Sequence, residues 1–140
     1  KHAACPPVVT PHPGEMARLT GTGIVQLKQD LPGAALAFAR EFHTVCVLKD
    51  ARTVAASPEG SVFLNTSGCS ALATAGSGDV LAGILSSLLA QQKMSGSGQP
   101  AVHTAAAAVL LHGLLGQWAA QETNEAFVLA GDLIRMMKKI

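Results

Sequence analysis

The 140-residue sequence has few charged residues and almost no charge imbalance. Only 14% of its residues are Asp, Glu, Lys or Arg, and the formal net charge is +1. Basic residues cluster only at Lys138-Lys139. Nucleic acids and membrane surfaces are bound by extended positive patches, which this sequence does not offer. We therefore expect neither nucleic acid nor a membrane as a partner.

Cysteine is also scarce. The sequence has three cysteines, Cys5, Cys46 and Cys69, and none of them forms a C-x-x-C pair. An odd number without that spacing argues against a disulfide framework and against a zinc site. Free cysteines fit a reducing compartment, so we predict a cytoplasmic protein.

Long hydrophobic runs are missing, although 49% of the residues are apolar. No run reaches the roughly 18–20 residues that a membrane span needs. The richest stretch, residues 105–120, contains His112 and Gln117 and is interpreted as a buried helix. We interpret His112 as a core histidine with one satisfied hydrogen bond. The N-terminal residues, which begin Lys1-His2, do not resemble a signal peptide.

Local patterns predict an α/β fold in a single domain, residues 1–140, with helices packed on a sheet. Strands are expected at Val8-Val9, at residues 44–48 as a buried parallel strand, and in a hairpin that joins residues 53–56 to 61–64. Helices are expected over residues 15–19, 32–42, 79–91, 129–139 and from Pro100 onward. One face of the helix after Pro100 is expected to be buried, with members at 103, 106, 107, 110, 111, 114, 115 and 118.

The most informative segment is ATAGSGDVLAG, residues 73–83. Glycines let the backbone turn tightly before an apolar helix, and the N–H groups of a helix N-terminus form an anion site. Asp79 stands at that point. It could deprotonate a hydroxyl while the helix N-terminus holds a phosphoryl group. The alternative is that Asp79 only caps the helix.

Two other segments are candidates. Residues 10–15 follow a predicted strand, where open α/β sheets place ligands, and they carry His12 and Glu15. The alternative is a rigid turn in which Glu15 satisfies the helix dipole. Lys49 closes the buried strand, and a lysine there can reach a phosphate. The alternative is that Lys49 only forms part of a charged connection between the strand and the hairpin.

Three of these segments, in this order, resemble the ADP/ATP-dependent NAD(P)H-hydrate dehydratases. They are TPHPGEMARL at residues 10–19, VLKDARTV at 47–54 and ATAGSGDVLAG at 73–83, and LHGL at 111–114 resembles a fourth family segment. The resemblance implies a ribokinase-like fold with a mainly parallel sheet flanked by helices. Family domains begin well before the first segment. The resemblance therefore implies that this chain is the C-terminal part of a longer domain and lacks its N-terminal strands.

The resemblance implies a metabolite-repair lyase. Such enzymes use ADP or ATP, with Mg²⁺, to phosphorylate the added hydroxyl of hydrated NADH or NADPH, and phosphate is then eliminated. The expected partners are the hydrated dinucleotide and an adenine nucleotide. A sheet without its first strands exposes an edge and apolar surface, so we also expect a homo-oligomer or association with a missing N-terminal portion.

Site residues follow from the resemblance position by position. Asp79 is implied as the catalytic base and, with His12, as a contact to the substrate. No protein ligand to a metal is expected. The nucleotide-binding positions are Lys49, Asp50, Ala51, Arg52, Thr53 and Gly78. The anion hole for the transferred phosphoryl group is formed by Gly76, Ser77 and Gly78.

The sequence departs from the family pattern at two places. Asp50 stands where the family usually has glycine, which adds a negative charge near the expected nucleotide. Gly68-Cys69-Ser70 stands where the family usually has a Gly-Asn-Pro-like run. Two other functions remain open: a kinase of the same superfamily for a sugar or vitamin precursor, and a non-catalytic nucleotide-binding or assembly module. The TPHPGE segment favours the dehydratase over the kinase.

Overall fold

The computed structural model describes residues 7–140 of the chain. Cys5 and the N-terminal segment that begins Lys1-His2, which does not resemble a signal peptide, lie outside these residues. The described chain forms two compact units. The first unit extends to Asn65 and includes Pro100–Ala106, and the second consists of Thr66–Gln99 and Ala107–Ile140.

Among the described residues, the first unit contains one four-stranded sheet, three complete helices and the first six residues of a longer helix. The strands lie in the order of the sequence: β1 (Val8–Val9), β2 (Val45–Leu48), β3 (Val54–Ala56) and β4 (Val62–Leu64). The complete helices lie between β1 and β2: α1 (Pro13–Thr20), α2 (Ile24–Gln29) and α3 (Leu31–Phe42). The predicted strands, the hairpin and the helix from Pro32 are confirmed.

The sheet is not mainly parallel, so this part of the fold prediction was wrong for the described strands. Only β1 and β2 are parallel, with Val8 opposite Val45. The other two pairs, β2–β3 and β3–β4, are antiparallel. A parallel pair needs a long crossover, and only the segment that contains α1 to α3 supplies one. The connections on either side of β3 are five residues each, short enough only for antiparallel returns.

Local sequence signals mark the start of α3 and the end of α1, whereas α2 lacks such a signal. The Asp30 carboxylate accepts a hydrogen bond from the Gly33 amide at 2.8 Å and caps α3. Gly21 ends α1 in the left-handed region at φ +72°. Helix α2 was not predicted. It has six residues, a single buried side chain (Leu27) and no side-chain cap at Gly23, so no capping residue marks its start in the sequence.

The core of the first unit lies where α3 packs on β2 and β3. Each large apolar side chain buried there contributes about 1.5–3 kcal/mol relative to exposure. Burial also raises the pKa of the Cys46 thiol to about 12, which keeps it protonated and unreactive. The buried cluster comprises Met16, Leu27, Ala35, Phe38, Ala39, Cys46, Leu48, Val54 and Ala56.

The second unit is helical. It contains α4 (Ser77–Met94), most of α5 (Ala101–Glu122) and α6 (Ala130–Met136), and three short 3-10 helices lie at Ser70–Ala73, Glu125–Phe127 and Met137–Lys139. Helix α4 packs against α6, and the first two 3-10 helices pack against each other. Within residues 7–140, no helix is both long enough and apolar enough to cross a membrane.

The predicted face of α5 was partly wrong. Ala107 and Leu110 were expected to be buried, but both are exposed. Helix α5 is rich in alanine and leucine all around its circumference, so the apolar pattern does not define a single face. The buried positions are Val102, Ala105, Ala108, Val109, His112, Gly113, Leu115, Gly116 and Ala119.

Candidate functional site

In the first unit, the ends of β1 and β2 bring two predicted segments together. These strands are parallel, so their carboxyl ends lie at the same edge of the sheet, where α/β folds place ligands. The Lys49 amide donates to the Pro11 carbonyl oxygen at 2.8 Å. This bond fixes Lys49 next to the TPHPGE segment.

His12 and Glu15 cap helix α1 reciprocally. His12 Nδ1 accepts hydrogen bonds from the amides of Gly14 (3.0 Å) and Glu15 (3.2 Å), and Glu15 Oε2 accepts one from the His12 amide (2.7 Å). A ring nitrogen that accepts from two amides carries no proton, so the neutral ring is protonated on Nε2. His12 is therefore a structural cap that still presents an exposed Nε2–H donor.

Glu15 links this cap to Lys49. Its Oε2 atom lies 4.0 Å from Lys49 Nζ, with both side chains partly exposed. The hydrogen bond from the His12 backbone lowers the pKa of the Glu15 carboxyl below its usual value. Burial opposes this shift, while the positive charge of Lys49 supports it. Glu15 is thus held ionised beside the lysine.

The connection from β2 to β3 consists of Lys49, Asp50, Ala51, Arg52 and Thr53. The Thr53 hydroxyl donates to the Asp50 carbonyl oxygen at 3.5 Å, which closes the turn, and Ala51 and Arg52 are exposed at its tip.

The Asp50 carboxylate, which replaces the family glycine, is paired. Lys28 Nζ lies 3.0 Å from Asp50 Oδ2 and 3.1 Å from Oδ1. Lys28 offsets the extra negative charge at this connection. No local pattern predicts this partner, because Lys28 lies 22 residues away in helix α2, which was itself unpredicted.

In the second unit, Gly76 occupies the N-cap position of α4. Its φ of +82° lies in the left-handed region, and a Cβ there would lie 3.2 Å from Ala130 Cβ. Both facts favour glycine. No side chain caps this helix. Asp79 is the third residue of the helix and is exposed, so the interpretation of Asp79 as the N-cap was wrong.

The first turn of α4 leaves amides open. The Ser77 amide donates to the Thr74 carbonyl oxygen at 3.3 Å, and the Asp79 amide donates to that of Gly76 at 3.1 Å. Within residues 7–140, no acceptor takes the N–H of Gly76 or of Gly78. These are the groups with which a helix N-terminus binds an anion.

Ser77, a member of the expected anion hole, directs its side chain to the interior. Its side chain is buried (3% exposed), and Oγ lies 3.0 Å from Nε2 of His112, which is also buried. The same Nε2 lies 3.0 Å from the Ser77 carbonyl oxygen. The prediction that His112 is a hydrogen-bonded core histidine is confirmed. The Ser77 hydroxyl points to the interior and is not offered to a ligand.

The second departure from the family pattern, Gly68-Cys69-Ser70, begins at a left-handed glycine with φ +110°. Gln117 Nε2 donates to the Gly68 carbonyl oxygen at 3.4 Å, and the Ser70 hydroxyl donates to the Glu125 carboxylate. These contacts order the loop without an asparagine.

No three His, Cys, Asp or Glu side chains between residues 7 and 140 come together as a metal-binding group. Mg²⁺ in nucleotide sites is held largely by phosphates and water, with one or two carboxylates. The exposed carboxylate of Asp79 at the start of α4 is chemically compatible with a Mg²⁺ ion held in this way.

Comparison with solved structures defines the class of fold. A ribokinase-like superfamily protein from Enterococcus faecalis matches with a TM-score of 0.74 and 33% identity, over 94% of this chain and 44% of that chain. The ADP/ATP-dependent NAD(P)H-hydrate dehydratase from Bacillus subtilis, co-crystallised with ATP and Mg²⁺, matches with a TM-score of 0.82 and 33% identity, over 96% and 48% of the two chains. The α/β fold is ribokinase-like, as expected.

Sequence comparison defines the family. The bifunctional NAD(P)H-hydrate repair enzyme Nnr of Moorella thermoacetica is 45% identical over 129 residues, which are 92% of this chain and 23% of that protein. The NAD(P)H-hydrate dehydratase family model matches residues 1–139. The chain belongs to the NAD(P)H-hydrate dehydratase family. It spans less than half the length of each of these relatives.

We predict that Glu15→Gln removes a pH-dependent part of the stability. Because folding lowers the pKa of Glu15, its ionised form stabilises the fold above about pH 4.5, and the contribution disappears as the pH falls through the folded-state pKa. We expect Glu15→Gln to lower the unfolding free energy by about 0.5 kcal/mol at pH 7, a small effect for a half-exposed group. The difference from wild type should shrink as the pH falls below about 4.5, as measured by urea unfolding from pH 3 to 7.

The matched control for this experiment is Glu41→Gln, at an exposed position near the end of α3. Only the loss for Glu15→Gln in excess of the loss for this control is assigned to the capping carboxylate. A Glu15→Gln curve that coincides with that of the control at every pH contradicts the assigned role of the carboxylate.

We predict opposite effects of alanine at two glycines of α4. Gly76→Ala forces a side chain into the left-handed region and against Ala130, which should lower the unfolding free energy by about 1–2 kcal/mol. Gly83 lies inside the helix with open space around it, so Gly83→Ala should stabilise the protein by roughly 0.5–1 kcal/mol. Denaturant unfolding measures both. Equal stability of Gly76→Ala and wild type contradicts the account of the turn.

Proposed function

We propose that this chain carries the phosphoryl-transfer part of an ADP- or ATP-dependent dehydratase that repairs hydrated NADH or NADPH. One observation carries the proposal. An exposed carboxylate, Asp79, stands in the first turn of α4 beside the open amides of Gly76 and Gly78, within a family-matched segment. A base and an anion site at one helix turn are what phosphorylation of a hydroxyl requires.

In the proposed reaction, the Asp79 carboxylate takes the proton of the hydroxyl on the hydrated nicotinamide ring. The hydroxyl oxygen forms a bond to the terminal phosphorus of the nucleotide as the bond to the bridging oxygen breaks, which releases ADP from ATP or AMP from ADP. The carbon–oxygen bond of the phosphate ester then breaks, and the adjacent carbon loses a proton. The ring double bond re-forms, and inorganic phosphate leaves.

The open amides supply stabilisation during phosphoryl transfer. Negative charge accumulates on the transferred group, and the N–H groups of Gly76 and Gly78, with the positive end of the α4 dipole, oppose it. Mg²⁺, when bound with the nucleotide, screens the charge of the phosphates.

The other site residues keep the roles that the family match suggests. We assign nucleotide binding to Gly78 and to the connection formed by Lys49, Asp50, Ala51, Arg52 and Thr53. Lys28 pairs with Asp50 and so limits the repulsion between that carboxylate and phosphates. We assign a substrate contact to His12, whose exposed Nε2–H can donate to a carbonyl or hydroxyl oxygen.

We further propose that the protein is cytoplasmic and that it associates either with a second copy or with an N-terminal portion of the family domain. Strand β4 supports the association, because it ends the described sheet and exposes Val62 and Leu64. Unpaired edges with apolar side chains are surfaces that proteins usually cover.

We predict that the wild-type protein restores the absorbance of reduced nicotinamide when it is incubated with hydrated NADH, ADP or ATP, and Mg²⁺. Asp79→Asn removes the base and should lower kcat by about 10²- to 10⁴-fold. Affinity for the nucleotide, measured by calorimetry, should change little. The control is Glu122→Gln, an exposed carboxylate on α5 that pairs with Lys139, and it should retain wild-type activity.

Other outcomes separate the alternatives. Full activity of Asp79→Asn contradicts the proposed base. Phosphorylation of a sugar or vitamin precursor without action on hydrated NADH identifies a kinase of the same superfamily. Nucleotide binding without turnover in any of these assays identifies a binding or assembly module.

A further inference from the structure

We propose that His112 is a positioning residue that fixes the orientation of the Gly78 amide in the anion site. The inference rests on the proposed function for the identity of the anion, a phosphoryl group. His112 thus has a role beyond core packing, although its side chain is buried and does not face the ligand.

His112 contacts the peptide group that joins Ser77 to Gly78. His112 Nε2 lies 3.0 Å from the Ser77 carbonyl oxygen. That carbonyl and the Gly78 N–H belong to the same peptide unit, which is planar and trans. The C=O and N–H bonds lie in that plane and point in opposite directions, so a contact that fixes the direction of the carbonyl also fixes the direction of the N–H. In this way a buried side chain sets the direction of an amide that no acceptor within residues 7–140 takes.

The Ser77 carbonyl oxygen determines which atom donates in its contact with His112 Nε2. A carbonyl oxygen only accepts, so the bond requires a proton on His112 Nε2. The Ser77 hydroxyl oxygen, also 3.0 Å from Nε2, can accept from the same N–H and holds the ring in place. Hydrogen bonds in series polarise one another, so a peptide whose carbonyl accepts from His112 is a stronger donor at its own N–H.

Neighbouring residues of α5 hold the chain that leads into this turn. A Cβ at Gly113 would lie 2.9 Å from the carbonyl carbon of Ser67, and one at Gly116 would lie 2.7 Å from Leu72 Cγ. The Ser67 hydroxyl also donates to the Leu110 carbonyl oxygen at 3.2 Å. This stretch of α5 is thus packed directly against the segment that precedes Gly76. The turn has little freedom to compensate for the loss of the histidine bond.

The test compares three variants of the protein, purified in the form in which it occurs in the cell. His112→Leu keeps an apolar side chain but removes the donor, and His112→Gln keeps an N–H of similar reach. His103→Leu is the control: it is a histidine on the same helix whose ring packs edge-on against Phe63, 5.2 Å between centroids. Unfolding free energies of all three are measured in parallel.

We expect His112→Leu to lower kcat with hydrated NADH and ADP by about 10- to 100-fold, somewhat less than outright loss of an oxyanion donor. The KM for hydrated NADH should change less than about threefold, because the substrate does not contact this ring. His112→Gln should recover most of kcat, and His103→Leu should match wild type. A kcat of His112→Leu equal to that of His103→Leu overturns the inference.

Two further measurements do not depend on turnover. In the wild-type protein, ¹⁵N spectra of the histidine rings should show His112 protonated on Nε2, and an unprotonated Nε2 overturns the inference without any variant. On titration with ADP, the Gly78 amide resonance should shift in wild type and in His112→Gln but not in His112→Leu. Identical shifts in all three also overturn it. Failure of wild type to act on hydrated NADH, with these spectra as expected, contradicts only the proposed function.

Discussion

The unsatisfied N–H groups at helix N-termini are the constraint on which both candidate sites depend. Every α-helix begins with amides that lack partners inside the helix. Helix α1 satisfies them locally, since His12 and Glu15 cap each other and the helix. Helix α4 does not: its N-cap is Gly76, no side chain caps it, and the amides of Gly76 and Gly78 stay open. The first arrangement stabilises the fold and fixes a histidine, and the second leaves positive potential for an anion.

Contacts with neighbouring side chains determine how firmly the groups that are proposed to bind a ligand are held in position. Asp79 is exposed, whereas Ser77, two positions earlier, is buried against His112. In the first unit, Glu15 stands between the His12 cap and Lys49, and Lys28 pairs with Asp50. Lys49 and Asp50 are proposed to meet a ligand, and each is held by a neighbour, Glu15 or Lys28, that is proposed to meet none. We infer that changes at these neighbours alter catalysis more than their burial or distance suggests.

Local signals made much of the fold predictable. The hairpin, the strand at residues 45–48 and the helices after Pro32, Gly78 and Pro100 follow from turn residues and apolar runs that act over a few positions. The Gly76–Asp79 turn was recognisable for the same reason. The pairs Lys28–Asp50 and Ser77–His112 were not, since they join residues 22 and 35 positions apart and leave no local pattern. The buried face of α5 escaped prediction because an alanine- and leucine-rich helix is apolar on every side.

We propose that the turn at Asp79 transfers a phosphoryl group to the hydroxyl before that hydroxyl leaves. Isotope tracing tests it directly. Hydrated NADH that carries ¹⁸O in its added hydroxyl is incubated with the protein, ADP and Mg²⁺, and the inorganic phosphate is analysed by mass spectrometry. We expect one ¹⁸O atom in each phosphate released. Unlabelled phosphate, with the ¹⁸O recovered in water, would contradict it.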